Sequence, residues 1–264
     1  MIRFGIVAPM LLALSISIAS NAQSPEEKGL EIFQEVDKRD LGWKHSSSDL
    51  KMVLKNRHGQ SSTRDLTIQS LETNEPGLGD RSLTVFSSPA DVDGTAFLSH
   101  TKVTEADDQW LYLPALRRVK RISSSNKSGP FVGSEFAFED LTSQEVEKYT
   151  YKYLRDETAE GQECFVVERY PVYKNSGYTK QVTWVDKAEY RPIKIEFYDR
   201  KDALLKTLVF SDYTQYQDKF WRAHTLSMEN HQTEKSTVLN FDNFDFDTAI
   251  PESMFTAARL KNIR

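Results

Sequence analysis

Cysteine is nearly missing from this 264-residue chain, whose one cysteine is Cys164. A lone cysteine excludes an internal disulfide, so a packed core must hold the fold together. Cys164 lies in the apolar run Cys-Phe-Val-Val, residues 164–167, where we predict buried strand packing and not a reactive nucleophile. The chain also has no linker rich in proline or in glycine and serine. We therefore predict a single domain over residues 23–264.

Motifs of the common catalytic and cofactor sites are missing as well. The chain has no G-x-S-x-G nucleophile elbow and no GxxxxGK[ST] phosphate loop, and residues 77–79, Gly-Leu-Gly, lack the third glycine of a dinucleotide fingerprint. Its five histidines show no metal-ligand spacing. Residues 91–94 lack most ligands of a calcium loop, which predicts a turn there. We expect no catalytic residues, no metal site and no cofactor; an enzyme of unrecognised type is the remaining alternative.

Positive charge is in short supply: the formal net charge is −5 and the isoelectric point is about 5.7. Bulk electrostatics therefore gives no attraction to nucleic acid, and any basic site must be local. Mean hydropathy is −0.56, yet the chain carries 15 Phe, 11 Tyr and 4 Trp. The aromatic content argues against a disordered chain, and the polarity excludes a protein with several membrane spans.

The first 22 residues have the pattern of a secretory signal peptide. Residues 1–3 form a short positive start, residues 4–19 form an apolar run, and residues 20–22 place small side chains before Gln23. The run is shorter than the roughly 20 residues of a membrane span. No cysteine follows the predicted cleavage position to accept a lipid anchor. We expect an exported, soluble mature chain that touches membranes only transiently.

One helix is predicted at the start of the mature chain. Ser24, Pro25 and Glu27 match an N-cap, a first-turn proline and a capping-box glutamate, so the helix should begin here and end near residue 40. Its apolar stripe has four members: Leu30, Ile32, Phe33 and Val36.

After residue 42 the sequence has the pattern of successive hairpins. Val182 and Trp184, for example, alternate with Gln181 and Thr183, which predicts one dry and one solvated face. We predict about a dozen strands, at 43–57, 63–74, 81–88, 94–103, 109–114, 117–122, 147–157, 162–170, 179–187, 192–199, 203–213, 220–231 and 235–245. Their close spacing favours an antiparallel meander. The predicted fold is mainly β, a large antiparallel curled sheet whose apolar inner face encloses a cavity that the helix could plug.

Residues 108–141 break this pattern and supply the candidate site. The strand at 110–113 is apolar on both faces, as a strand needs when both are covered or when one lines a hydrophobic cavity. A small polar loop at 123–129 precedes three phenylalanines, which can form a lid whose rings enter the cavity. Core packing explains these phenylalanines equally well. The candidate lipid-binding residues are Trp110, Tyr112, Leu113, Phe131, Phe136 and Phe138.

A basic strand separates these two apolar stretches. Its cations occur on both faces: Arg117, Arg118, Lys120 and Arg121. Guanidinium groups at the rim of an apolar pocket would bind phosphate or carboxylate, so we assign this set as a headgroup or partner surface. A solvated hairpin with no binding role explains the same residues, and both interpretations remain open.

Residues 110–122, WLYLPALRRVKRI, and residues 131–141, FVGSEFAFEDL, resemble the signature of the exported outer membrane lipoprotein-sorting protein family, which is related to the LolA and LolB lipoprotein carriers. The resemblance extends from the predicted helix through residues 86–94 to residues 251–255. It implies an unclosed antiparallel β-barrel in which short helical lid segments cover an apolar cavity. It also implies a periplasmic location.

The function implied is that of a non-catalytic periplasmic carrier, a chaperone that binds lipid or lipoprotein acyl chains in its cavity and moves them between membranes. The alternative is a periplasmic binding, adaptor or sensor module that works with an inner-membrane exporter of hydrophobic compounds. In that case the basic strand would contact the exporter. Nucleic acid is an expected partner in neither case.

Overall fold

The computed structural model describes residues 23–263, so the predicted signal peptide, residues 1–22, lies outside the described residues. Within this range one α-helix, α1 (Pro25–Asp40), precedes thirteen strands. The strands are β1 (His45–Lys55), β2 (Ser61–Leu71), β3 (Leu78–Ser88), β4 (Ala96–Lys102), β5 (Asp108–Leu113), β6 (Arg118–Ile122), β7 (Tyr149–Ala159), β8 (Gln162–Pro171), β9 (Tyr178–Asp186), β10 (Pro192–Asp199), β11 (Leu204–Tyr216), β12 (Phe220–Asn230) and β13 (Lys235–Asp245). No helix among residues 23–263 combines the length and the apolar composition that a membrane crossing requires.

Helix α1 has the predicted bounds. Glu27 N donates to Ser24 Oγ at 3.1 Å, and Ser24 N donates to the Glu27 carboxylate at 2.9 Å, which completes the predicted capping box. The predicted stripe is wrong at one position, because Leu30 is 39% exposed and the preceding Gly29 is buried. The face turned to the sheet follows the i, i+3, i+4, i+7 spacing and consists of Gly29, Ile32, Phe33 and Val36.

Gly29 allows α1 to lie very close to β7. A Cβ at this position would be 2.9 Å from Tyr153 N and 3.0 Å from Lys152 N. Beside this contact the Phe33 ring stacks on the Tyr151 ring, with 4.7 Å between their centroids. The helix is thus fixed over one end of the sheet, and a larger residue than glycine would push it away.

All thirteen strands form one antiparallel sheet with the order β6-β5-β4-β3-β2-β1-β13-β12-β11-β10-β9-β8-β7. Every strand pairs with its neighbour in sequence except β6 and β7, and β13 additionally pairs with β1. β6 and β7 are therefore the two edges, and the sheet does not close. This confirms the predicted fold, and each of the predicted runs overlaps one strand.

The predicted solvated face is wrong for β9. Val182 and Trp184 are buried as expected, but Gln181 and Thr183 are only 3% and 1% exposed. The reason is that α1 and the chain between β6 and β7 cover the inner face of the sheet. β9 therefore has two dry faces, one of them carrying polar side chains.

The residues that follow β13 cover part of the opposite, outer face. Phe255 and Leu260 are fully buried there against Leu83, Ala96 and Leu98. This packing protects the outer face of β3 and β4 from solvent. The inner face is left as the place where a ligand could be enclosed.

Candidate functional site

The inner face of the curled sheet is a continuous apolar surface. Nine strands, β1–β4 and β9–β13, contribute its buried side chains, which are Leu50, Met52, Leu66, Phe86, Phe97, Tyr178, Ile195, Phe197, Leu208, Met228 and Leu239. Left uncovered, a surface of this kind would attract other hydrophobic molecules or aggregate.

A lid segment, residues 123–148, connects the edge strands β6 and β7 and covers this apolar face. Three short 3-10 turns shape it: Phe131–Gly133, Phe138–Leu141 and Val146–Lys148. The Phe131 ring centroid lies 5.8 Å from that of Phe86 and 5.2 Å from that of Phe97. Phe138 lies 5.5 Å from Phe97, and Phe136 is 2% exposed in the same cluster. The lid segment therefore fills part of the concavity with its own rings.

Asp140 fastens the lid segment to the strands beneath it. Its carboxylate accepts hydrogen bonds from Lys206 Nζ at 2.6 Å, Tyr178 OH at 2.8 Å and Ala137 N at 2.7 Å. The Asp140 and Lys206 side chains are 5% and 4% exposed, so this ion pair is buried. Lys206 also donates to the Glu135 carbonyl oxygen at 2.9 Å. Removing one partner of such a pair leaves a buried charge uncompensated.

Glu139 makes a second attachment, to the loop between β8 and β9. It accepts hydrogen bonds from Gly177 N at 2.7 Å, Ser176 Oγ at 3.0 Å and Tyr173 OH at 3.2 Å. Burial raises the pKa of Glu139, and the neighbouring Asp140 charge acts in the same direction. The hydrogen bonds from the loop oppose this rise and position the carboxyl group.

Further contacts hold the first half of the lid segment. Glu135 N donates to Thr237 Oγ1 at 3.0 Å, and Asn230 Nδ2 donates to the Glu135 carboxylate at 2.7 Å. Arg64 donates to the Val132 carbonyl oxygen. The lid segment is thus tied to β2, β12 and β13 as well as to β11 and the β8–β9 loop.

A cavity of about 210 Å³, the inner cavity, remains between the lid segment and the sheet. A wider space of about 570 Å³, the outer cleft, lies between the C-terminal end of α1 and strands β10–β13. Phe210, Leu226 and Phe241 line both spaces, so the two adjoin through an apolar neck. Pockets of roughly 300–1,000 Å³ hold most small-molecule ligands, and the outer cleft falls in that range.

Polar side chains interrupt the apolar lining where β8 meets β9. Arg169 of β8 pairs in register with Gln181 of β9, and both line the inner cavity. Arg169 is 4% exposed, and its guanidinium carbon lies 4.8 Å from the Tyr149 ring centroid and 5.5 Å from that of Phe33. Three buried atoms here have no hydrogen-bond partner among the described residues: Arg169 Nε, Gln181 Oε1 and Thr183 Oγ1.

The predicted lipid-binding residues divide into two groups in the structure. Phe131 and Phe136 line the inner cavity, and Phe138 packs beside them. Trp110 and Tyr112 instead lie on the outer face of the sheet, in the cluster with the C-terminal residues. Successive strand residues point to opposite faces, and in β5 it is Leu111 that packs against the buried side chains of the inner face. Leu113 is half buried at the end of β5 and lines neither the inner cavity nor the outer cleft.

The four predicted cations, the basic edge, are all exposed on or next to the edge strand β6: Arg117, Arg118, Lys120 and Arg121. They line neither the inner cavity nor the outer cleft. Arg121 pairs with Asp108 of β5, and among the described residues the other three form no ion pair. Charged side chains on an edge strand also prevent pairing with a second sheet.

Sequence reasoning missed Arg169 and Lys206. A signal for Arg169 was present, because Phe165 and Val167 precede it on the same strand face, so a cation continues an apolar row. Lys206 and Asp140 are 66 positions apart in the sequence, and no local pattern predicts a contact between them.

Comparison with known proteins finds relatives of this chain whose crystal structures have been solved. A family model described as "uncharacterized protein" matches residues 79–262. No match was found among curated protein sequences. An outer membrane lipoprotein-sorting protein domain from Vibrio parahaemolyticus is 60% identical, with 89% of this chain and 99% of that chain covered and a TM-score of 0.87. A DUF1329 family protein from Desulfovibrio piger is 31% identical, with 90% and 99% covered and a TM-score of 0.85.

A LolA superfamily protein from Nitrosomonas europaea shares the fold at lower identity. It is 21% identical, with 86% of this chain and 97% of that chain covered and a TM-score of 0.69. The resemblance drawn from residues 110–122 and 131–141 is thereby confirmed. The chain belongs to the outer membrane lipoprotein-sorting protein family and has the LolA-like fold, an unclosed antiparallel sheet with an N-terminal helix.

Proposed function

We propose that this protein is a non-catalytic periplasmic carrier that holds the acyl chains of lipids or lipoproteins in its inner cavity and moves them between membranes. One observation carries the proposal: an apolar cavity lies under a lid segment that polar contacts hold in place, and it adjoins an outer cleft. The lipoprotein-sorting relative supports the same class of ligand. The signal-peptide pattern predicted for residues 1–22 supports export to the periplasm.

The free energy of transfer suits such a role. Each buried CH₂ group contributes about 0.8 kcal/mol, so a chain of sixteen carbons gains roughly 13 kcal/mol, about what it gives up on leaving a membrane. The inner cavity alone is too small for a whole chain, since it is below the usual size range of ligand pockets. An acyl chain would therefore occupy the neck and the outer cleft as well, or displace the lid phenylalanines.

Release is as important to a carrier as binding. The lid rings occupy the concavity in the closed state, so they compete with the acyl chain for the same apolar surface. The buried Asp140–Lys206 pair adds a cost to opening the lid. Both effects lower the net affinity for cargo towards that of a bilayer, so that delivery remains possible.

Native mass spectrometry of the protein purified from its own cells tests the proposal, and co-purifying lipid is expected. Displacement of a fluorescent apolar probe by palmitate gives the affinity in parallel. Leu226→Trp should narrow the neck and weaken palmitate binding at least tenfold. Val238→Trp on the outer face is the matched control and should leave binding unchanged. Protein that carries no lipid and binds no palmitate would contradict the proposal.

A second candidate function is an adaptor or sensor that works with an inner-membrane exporter of hydrophobic compounds. The basic edge favours it, because its cations are exposed and lie away from the inner cavity. In this case Arg117→Glu with Arg121→Glu should abolish capture of the exporter from membranes and leave palmitate binding intact. Loss of palmitate binding without loss of capture would exclude this candidate.

A further inference from the structure

Arg169 has a charge that its surroundings do not balance. It is 4% exposed, lines the inner cavity and forms no ion pair among residues 23–263. Its neighbours in the wall, Gln181 and Thr183, also present buried polar atoms without partners. Buried polar groups are almost always hydrogen-bonded, and an unpaired buried charge costs several kcal/mol. Three such groups on adjacent strands indicate a place for a polar ligand group.

The acids that border the inner cavity are already compensated. Asp140 pairs with Lys206, and Glu139 is held by donors from the β8–β9 loop. Lys127, which is also buried, lies close enough to Glu139 for its charge to favour the ionised carboxylate. Two carboxylates thus face two lysines, and the charge of Arg169 is left over. An anion would restore neutrality.

The aromatic rings around Arg169 orient it without satisfying it. Tyr149 and Phe33 lie within cation–π distance, 4.8 Å and 5.5 Å from the guanidinium carbon. The ring faces hold the planar guanidinium group in place, but they do not accept hydrogen bonds from its N–H groups as an oxygen atom does. The guanidinium fork therefore stays available to two oxygens of one anionic group.

We propose that Arg169, supported by Gln181, binds the anionic oxygens of a single-chain amphiphile, a carboxylate or a phosphate, inside the inner cavity while the chain extends along the apolar neck to the outer cleft. This inference rests on the proposed function and specifies its cargo. A cavity of about 210 Å³ under the lid segment admits a small anionic group but not the polypeptide part of a lipoprotein. The site therefore selects free acids or alkyl phosphates over lipoproteins.

Three probes with the same sixteen-carbon chain test the site: palmitate, hexadecyl phosphate and hexadecanol. Each displaces a neutral fluorescent probe from the full mature chain, which gives its Kd. The wild type should bind at least one anionic probe ten times or more tighter than hexadecanol. A preference for palmitate identifies a carboxylate site, a preference for hexadecyl phosphate a phosphate site, and equal affinities a site for either anion. Arg169→Met should reduce the preference to about twofold, because the affinity for the anionic probes should fall far more than the affinity for hexadecanol.

Two further variants separate this role from a structural one. Arg169→Lys keeps the charge and should retain part of the preference, and Arg118→Met on the basic edge should retain all of it. Thermal unfolding of ligand-free Arg169→Met should show no loss of stability, since the variant removes an unpaired buried charge. No anion preference in the wild type, or a preference that survives Arg169→Met, would overturn the site. Failure of all three probes to bind would instead contradict the proposed function.

Discussion

Gly29 sets the distance between α1 and β7, and its role can be read from the atoms that a larger side chain would meet. Replacing glycine by alanine inside an exposed helix normally stabilises a protein by roughly 0.5–1 kcal/mol. Here the new Cβ would lie 2.9 Å from the Tyr153 backbone nitrogen, which cannot move aside cheaply. Gly29→Ala should therefore destabilise the fold by about 1–3 kcal/mol.

Urea unfolding of Gly29→Ala measures this effect. Gln34→Ala, on the exposed side of the same helix, is the control and should change stability by less than about 0.5 kcal/mol. Equal stability of Gly29→Ala and the wild type would show that the helix can shift without cost.

Glu145 of the lid segment and Asp80 of β3 make stability depend on pH. Burial raises the pKa of Glu145 to about 7 and that of Asp80 to about 6. The Asp80 charge also raises the pKa of Glu145, and the charges of Glu72 and Asp40 raise that of Asp80. A raised pKa means that the folded state binds a proton that the unfolded state has released. Stability should therefore fall as pH rises from about 5 to 8.

Glu145→Gln should remove most of this slope and gain about 1–2 kcal/mol at pH 8, less than the full shift suggests because the carboxyl group is partly exposed. Denaturant unfolding at pH 5, 6.5 and 8 gives the comparison. Glu229→Gln, at an exposed glutamate of β12 whose charge acts on neither group, should keep the wild-type slope. A slope that is equally steep in Glu145→Gln would assign the pH dependence elsewhere.

At the scale of elements, the lid segment combines short-range and long-range information. Its phenylalanines could be proposed as lid residues from their spacing alone, and the structure places all three in the inner cluster. The contacts that hold the lid segment could not be predicted from the sequence, because Asp140 and Lys206 are brought together only when β11 lies beneath the lid segment. Side-chain type and spacing predict what an element buries, but not which distant charge it meets.

Asp140→Asn should loosen the lid segment. It leaves the Lys206 ammonium buried without its carboxylate, which should cost about 3–5 kcal/mol. Hydrogen exchange followed by mass spectrometry should show faster exchange in residues 131–141 than in β11 and β12. Asp93→Asn in an exposed turn is the control and should leave exchange as in the wild type. Uniform acceleration over the whole chain would mean that the pair stabilises the entire fold and not the lid.

At the scale of the molecule, much of the fold was accessible from alternation and turn residues. The strand ranges and the capping box at Ser24 were predicted, because both depend on neighbours in sequence. The inner faces of β5 and β9 were not. Which of Trp110 and Leu111 points inward depends on what covers each face, and the C-terminal residues that cover Trp110 lie far along the chain. For the same reason Gln181 was expected in solvent and is buried.

The basic edge gives the molecule one strongly charged side despite its net negative charge. Cations near an anionic membrane contribute about 1 kcal/mol each. Arg118→Glu with Lys120→Glu should therefore weaken co-sedimentation with phosphatidylglycerol vesicles at least tenfold. The double variant Lys55→Glu with Lys235→Glu has the same net charge at exposed positions away from β6 and should bind like the wild type. Equal loss in both variants would show that only total charge matters.

The lid segment is covalently joined to both margins of an open sheet, since β6 and β7 are the two strands that it connects. If the curled sheet widens to admit a bulky ligand, β6 and β7 move apart and the lid segment between them is stretched. The length of residues 123–148 therefore limits the distance by which β6 and β7 can separate. Shortening the polar loop at its start would restrict the largest guest that can enter, and lengthening it would relax that limit.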